Sequence, residues 1–146
     1  MTSGREPLAR ETLLARAAIA QLVLVQAPSG FGKTTLLRQL VARRGVATTW
    51  ASLEAPTDLT GVGGLLASAA RRVGLVSLAE AFSELADGHD AHSTLDRVVA
   101  AVDRRPEAIV VVVDEAQFLD DSAAAWIGEL ARSLPDGSTV AVAGRR

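Results

Sequence analysis

Nine consecutive residues combine glycine, lysine and threonine at a spacing that suits phosphate chemistry. The run reads Ala27-Pro28-Ser29-Gly30-Phe31-Gly32-Lys33-Thr34-Thr35. It follows an apolar run at 22–25 and precedes a helix-like stretch at 36–40. A strand, a loop with glycines, Gly-Lys-Thr and a helix, in that order, are typical of a phosphate-binding loop. We therefore expect this loop to bind the phosphates of a nucleotide.

The expected chemistry of the loop comes from its backbone and from two side chains. A helix N-terminus offers unpaired N–H groups and the positive end of the helix dipole, which together attract an anion. Gly30 and Gly32 let the backbone curve around phosphates without a Cβ clash. Lys33 is expected to reach the β- and γ-phosphates, and the Thr34 hydroxyl to ligate Mg²⁺. The general motif begins with glycine, whereas this chain has Ala27, which disfavours a positive φ. We expect positions 30–34 to form the phosphate-binding part of the loop despite this alanine.

A pair of carboxylates follows the apolar run 109–113. In open α/β sheets, ligands bind beyond the carboxyl ends of the strands, so Asp114 and Glu115 are expected at the same edge as the phosphate loop. Asp114 is predicted to hold Mg²⁺, directly or through water. Glu115 is predicted to polarise the attacking water. The alternative is an ordinary solvated acid pair that caps a helix.

Eight of the fourteen arginines form four adjacent pairs, and one pair differs from the others. Three pairs precede predicted helix ends, where cations satisfy the helix dipole and the last carbonyls; they are Arg43-Arg44, Arg71-Arg72 and Arg104-Arg105. Arg145-Arg146 instead follows a predicted strand at the edge where the phosphates are expected. A guanidinium there is predicted to contact the γ-phosphate, with a solvated chain end as the alternative.

Hydrophobic periodicity predicts alternating strands and helices. The predicted strands are 22–26, 46–52, 109–113 and 139–143. Helices are predicted at 7–19 and 33–44. The region 58–105 is predicted to be mostly helical, most clearly at 93–105. A last helix is predicted to begin after a cap at Asp121 or Ser122. Residues 77–90 are expected to form a short helix and a loop. This alternation indicates a doubly wound α/β fold.

Length and composition exclude several classes of protein. The 146 residues, 49% of them hydrophobic, favour one domain with a buried core. A net charge of −2 gives no sign of direct DNA binding, and the absence of cysteine excludes disulfides and thiolate zinc sites. No apolar run approaches the roughly 18 residues of a membrane helix, and 1–7 lacks the apolar core of a signal peptide. A cytoplasmic location is expected. His89 and His92 lack a third ligand in pattern, so no metal site is predicted there.

The loop resembles that of the STAND NTPases (signal-transduction ATPases with numerous domains), an AAA-like branch of the P-loop NTPases. Residues 27–36 resemble their A-P-[AS]-G-[FY]-G-K-T-T-L loop, in which alanine at the first position is normal. The match is closest to large ATP-binding transcriptional regulators of the LuxR type. Their W-x-S-L-[DE] second strand is similar to 50–54, their Walker-B strand to 113–115, and their [ST]-x-R sensor to 143–145. The resemblance covers about 5–146.

The resemblance implies a fold and a function. The implied fold is a three-layer α/β sandwich with a mostly parallel five-stranded sheet in the order 5-1-4-3-2, followed by a lid and further domains. Residues 1–146 are expected to form one NTPase domain that holds four of these five core strands. Either the chain is the first part of a longer protein, or a partner completes the sheet.

The implied activity is ATP hydrolysis with Mg²⁺, with ATP and ADP as the two ligands of a signalling switch. Lys33, Glu115 and Arg145 would be catalytic, and Thr34 and Asp114 would hold the metal ion. The expected partners are other copies of the chain or downstream domains. Two alternatives remain: a non-catalytic nucleotide-binding module, and an AAA+ ATPase of DNA replication or transposition, which Asp114-Glu115-Ala116-Gln117 suits equally well.

Overall fold

A parallel sheet is built around one strand that is buried along its whole length. The computed structural model describes residues 22–26, 32–44 and 46–144. Its strands are β1 (Leu22–Gln26), β2 (Ala47–Ser52), β3 (Ile109–Asp114) and β4 (Thr139–Gly144). They lie in the order β1-β4-β3-β2, and every pair is parallel. A continuous β-branched run such as that of β3 is typical of a strand covered on both faces.

Five α-helices connect or follow these strands in the described residues. They are α1 (Lys33–Arg44), α2 (Leu59–Arg72), α3 (Val76–Ala86), α4 (Ala91–Asp103) and α5 (Asp121–Ser133). A short 3₁₀ turn, Ala116–Phe118, follows β3. The predicted helix at 7–19 lies outside the described residues.

Alternate residues of β3 face two different hydrophobic cores. Val110 and Val112 pack with Leu37 of α1 on one face. Ile109, Val111 and the helices α2 to α5 form the larger core on the other face. This arrangement confirms the expected three-layer α/β sandwich. The four strands also occur in the order 1-4-3-2 that the resemblance implies.

Most predicted elements are confirmed, with one local difference. Residues 77–90, expected to be a short helix and a loop, hold most of the eleven-residue helix α3 and the loop that follows it. The cap of α5 is Asp120, not Asp121 or Ser122 as predicted from sequence. Asp120 has extended backbone angles, and its Oδ1 accepts a hydrogen bond of 2.8 Å from the N–H of Ala123. The geometry of a cap requires non-helical angles at that residue, whereas Asp121 is already helical.

Two other helices also begin at an aspartate cap. Asp58 Oδ1 accepts from the N–H of Gly61 at 2.8 Å, and Asp90 Oδ2 accepts from the N–H of Ser93 at 2.9 Å. These backbone hydrogen bonds, helped by neighbouring hydroxyls, hold the pKa of both carboxyls below its ordinary value of 3.8. Aspartate caps therefore define the starts of α2, α4 and α5, whereas α3 starts without one.

Helices α2 and α3 approach each other closely at Gly63. A Cβ at this position would lie 2.8 Å from the backbone nitrogen of Ala86 and 3.0 Å from the carbonyl oxygen of Phe82. Both contacts are to backbone, so the two helices would have to separate to admit a side chain. Gly64, next in the sequence, faces open space apart from an ordinary contact of 4.0 Å with the Cβ of Ala86.

We predict opposite effects for the same substitution at these two positions. Gly63→Ala should lower the free energy of unfolding by about 1–3 kcal/mol, since overpacking forces the helices apart. Gly64→Ala is the matched control and should be neutral or stabilising by up to about 1 kcal/mol, because alanine has the higher helix propensity. Urea denaturation of both variants and the parent measures the difference. Equal stabilities for the two variants would contradict the close approach.

Candidate functional site

The N-terminus of α1 and the end of β3 meet at the carboxyl edge of the sheet. Helix α1 begins at Lys33, and Gly32 before it has a φ of 77°, in the left-handed region that favours glycine. The N–H of Leu36 donates to the carbonyl of Gly32 at 2.9 Å. Residues 27–31 lie outside the described residues. The structure thus describes the helical end of the predicted loop, 32–35, but not the turn that precedes it.

Thr34 and Asp114 are joined by a hydrogen bond across 80 positions of sequence. The Thr34 hydroxyl donates to Asp114 Oδ2 at 3.0 Å. Asp114 is the last residue of β3 and is only 4% exposed. A buried carboxylate is stable only when its oxygens are partnered. The two residues assigned to the metal from sequence are therefore in direct contact.

Glu115 leaves β3 with an unusual backbone. Its φ of 59° and ψ of 44° place it in the left-handed helical region, as the only non-glycine residue with positive φ among those the structure describes. Such conformations cost energy and cluster at functional sites. The N–H of Glu115 donates to Asp114 Oδ1 at 2.9 Å. The Asp114 carboxylate thus accepts a hydrogen bond from the backbone of the residue that follows it.

Gln117 holds the Glu115 side chain. Its Nε2 donates to Glu115 Oε2 at 2.5 Å, from a position in the 3₁₀ turn after β3. Sequence reasoning read Asp114-Glu115-Ala116-Gln117 as a motif but gave Gln117 no role. A polar residue two positions beyond a candidate catalytic acid was the available signal.

The end of β4 packs against the same turn. A Cβ at Gly144 would lie 3.1 Å from the backbone nitrogen of Gln117 and 3.3 Å from that of Ala116. Glycine therefore lets β4 reach the turn that carries Gln117. Arg145 follows directly in sequence but lies outside the described residues, as does Arg146.

The loops after β2 and β3 are tied together beside the site. The N–H of Leu53 donates to the carbonyl of Asp114 at 3.1 Å. The N–H of Thr57 donates to the carbonyl of Phe118 at 2.8 Å. The N–H of Asp120 in turn donates to the carbonyl of Thr57 at 3.0 Å. These backbone bonds fix the turn on both sides of Glu115.

The donor set at this edge suits a hard cation. A threonine hydroxyl and an aspartate carboxylate supply oxygen ligands, which Mg²⁺ prefers, and it usually keeps several waters beside one or two such groups. Elsewhere in the described ranges, no group of three or more histidine, aspartate or glutamate side chains is arranged to hold a metal ion. Nor does any described helix have the length and apolar character needed to cross a membrane.

Comparison with known proteins identifies one family. A family model described as an AAA domain matches residues 18–143. The match spans all four strands except the last residue of β4, and it includes Thr34, Asp114 and Glu115. No curated protein sequence matches the chain significantly.

Proposed function

Because the chain belongs to the AAA domain family, we propose that it binds ATP and ADP with Mg²⁺, hydrolyses ATP and acts as a signalling switch. The family is a class of P-loop nucleotide-binding modules. The observation that carries the proposal is the contact between Thr34 and Asp114, a hydroxyl and a buried carboxylate brought together from α1 and β3. A solvated acid that only capped a helix would need no hydroxyl partner from α1.

In the proposed mechanism, the nucleotide phosphates lie at the N-terminus of α1. The loop and the Lys33 side chain hold them, with backbone N–H groups as donors at every position except Pro28. We assign this site to Ala27, Pro28, Ser29, Gly30, Phe31, Gly32, Lys33, Thr34 and Thr35. Thr34 and Asp114 would hold Mg²⁺, which neutralises the charge that develops on the transferred phosphoryl group. The burial of Asp114 supports this assignment, because a low local dielectric strengthens its attraction for a cation.

Glu115 is proposed to orient the attacking water. It follows Asp114 directly in sequence, and its backbone lies in the left-handed region. Gln117 restrains its carboxylate through the 2.5 Å hydrogen bond. We therefore propose Gln117 as a positioning residue for Glu115. Arg145 is proposed to contact the γ-phosphate, since it follows β4 at this edge.

We further propose that the chain is the NTPase domain, residues 1–146, of a STAND regulator of the LuxR type in the cytoplasm. The strand order supports this proposal. So does the 50–54 segment, which runs along β2 and into the loop that is hydrogen-bonded to the end of β3. In such a regulator, ATP would favour an assembled state and ADP a closed one. The partners would then be other copies of the chain or downstream domains, without direct DNA contact by this segment.

A second function, nucleotide binding without hydrolysis, is favoured by one observation. The Glu115 carboxylate is already engaged by a hydrogen bond from Gln117. In a module that only binds nucleotide, that bond would be permanent. Phosphate release separates the two functions.

Substitution of Lys33 tests nucleotide binding. Lys33→Ala should weaken ATP binding in calorimetry by roughly 10- to 150-fold, because hydrogen bonds to charged groups contribute about 1.5–3 kcal/mol. Arg38→Ala removes the same charge from an exposed position on α1 and should leave the affinity unchanged. Equal ATP affinities for Lys33→Ala and the parent would refute the phosphate-loop assignment.

A chemical measurement on the unaltered chain gives an independent check. Lys33 is the only lysine in the sequence. Mg²⁺ and ATP should therefore slow its acylation by an amine-selective reagent, while the N-terminal amine reacts at the same rate with or without nucleotide. Mass spectrometry of the two peptides gives both rates from one sample.

The second prediction separates binding from turnover. Glu115→Gln should retain ATP affinity and lower phosphate release by about 100-fold or more, the usual contribution of a positioned acid–base group. Glu129→Gln makes the same change at an exposed site on α5 and should release phosphate at the parental rate. If the parent itself releases no more phosphate than Lys33→Ala, hydrolysis is wrong and the non-catalytic module is the function.

A further inference from the structure

Strand β2 forms one end of the sheet, and one of its edges has no neighbouring strand in the described ranges. The N–H of Leu53, just after β2, donates to the last carbonyl of β3 and so points toward β3. Backbone groups alternate in direction along a strand, so those of Thr49 and Ala51 also point toward β3. The N–H and C=O groups of Thr48 and Trp50 therefore point to the open edge. An open edge of this kind is a template for the addition of another strand.

A groove of about 500 Å³ lies at this edge, and we call it the β2 groove. Residues of β2, of α1 and of the end of α2 line it. They are Thr48, Trp50, Arg38, Val41, Ala42 and Arg72. Helix α1 packs on one face of the sheet through Leu37, and α2 packs on the other face through Val62 and Leu66. The β2 groove thus spans the edge of the sheet from one helix layer to the other, where an extended segment would fit.

The β2 groove is positively charged. The guanidinium carbon of Arg38 lies 5.9 Å from the ring centroid of Trp50, close enough for a cation–π contact. Arg72, the last residue of α2, is exposed. Neither arginine has a carboxylate partner among the residues that the structure describes. No acidic side chain in those ranges lines the groove. Two such cations beside outward backbone groups favour a segment that carries carboxylates.

Charge also argues against two other occupants of the β2 groove. The residues outside the described ranges contain five arginines and two glutamates, so they are basic. A second copy paired edge to edge would bring its own Arg38 and Arg72 against the first two, and like charges placed opposite each other are destabilising. The groove is therefore best matched by an acidic segment of a different protein.

We propose that the β2 groove binds an extended acidic segment of a partner protein as an added strand. The backbone of that segment pairs with Thr48 and Trp50. Its carboxylates lie beside Arg38 and Arg72, and its apolar side chains pack against Val41 and the Trp50 ring. Side chains alternate between the two faces of a strand, so a segment that alternates acidic and apolar residues fits best. The proposal does not depend on nucleotide binding or hydrolysis.

Amide hydrogen exchange of the ¹⁵N-labelled chain tests the proposal with a capped peptide of alternating glutamate and valine, matched in length to β2. The peptide should slow exchange at Thr48 and Trp50, whose N–H groups become hydrogen-bonded. Exchange at Thr49 and Ala51, already bonded to β3, should not change. Unchanged exchange at Thr48 and Trp50 would overturn the proposal. Equal slowing by a peptide of alternating lysine and valine would overturn its acidic chemistry.

The indole signals in the same NMR spectra measure affinity and contain an internal control. The chain has two tryptophans. The indole N–H of Trp50 should shift saturably with the glutamate peptide, whereas that of Trp126, which donates to the carbonyl of Ala91 at 3.0 Å, should not. If exchange at Thr48 and Trp50 slows as the protein concentration rises without peptide, a second copy is the occupant and the proposal is wrong.

Two charge variants test the arginines. Arg38→Gln with Arg72→Gln should weaken binding of the glutamate peptide by about tenfold, since two exposed ion pairs are lost. Arg97→Gln with Arg132→Gln removes the same charge from exposed ion pairs elsewhere and should bind as the parent does. Equal affinities for the two double variants would contradict the role of Arg38 and Arg72.

A backbone variant tests strand addition separately from charge. Thr48→Pro removes an N–H that points to the open edge and breaks no hydrogen bond to β3, and proline is tolerated at such positions of edge strands. The variant should fold, with the Trp126 indole signal unchanged, and should not bind the glutamate peptide. Undiminished binding to Thr48→Pro would refute strand addition even if the double arginine variant fails to fold.

Discussion

The candidate site depends on the burial of a carboxylate at the end of β3. Every residue of β3 is buried, and the last of them is Asp114. A charged group so placed is tolerated only when its oxygens are hydrogen-bonded. Thr34 supplies one partner from α1, and the N–H of Glu115 supplies another from the following turn. The position of α1 and the geometry of the turn are thus both coupled to the same side chain.

This coupling connects the packing of the sheet to its chemistry. Leu37 of α1 packs against Val110 and Val112 on one face of β3. That contact fixes where the N-terminus of α1 lies relative to Asp114. A change in the core under α1 would therefore be felt at the Thr34–Asp114 hydrogen bond, even though it touches neither residue.

Sequence predicted the parts of the molecule that depend on local pattern. The β-branched run 109–113 defined β3, and the Gly-Lys-Thr motif before a helix correctly anticipated that Thr34 and Asp114 share an edge. The cap of α5 was misassigned because aspartates at 120 and 121 have the same chemistry, and only backbone angles distinguish them. The close approach at Gly63 was not predicted, since it depends on contacts with α3 about twenty residues away. The hydrogen bond of Gln117 to Glu115 likewise depends on a turn geometry that no sequence period reveals.

The turn after β3 is the part of the site most easily altered by a ligand. A non-glycine residue in the left-handed conformation costs about 1–2 kcal/mol, and the exposed Gln117–Glu115 hydrogen bond offsets about 0.5–1.5 kcal/mol. The Gln117–Glu115 hydrogen bond thus offsets part of the free-energy cost of this conformation in its equilibrium with other backbone conformations. A ligand shifts such an equilibrium by its difference in affinity for the two states, and about 1.4 kcal/mol changes their ratio tenfold. In the proposed ATPase, hydrogen bonds to the γ-phosphate would favour release of Glu115 from Gln117. The loops on both sides of the turn are fixed by backbone hydrogen bonds, and Glu115 is the only non-glycine residue with a positive φ among those the structure describes.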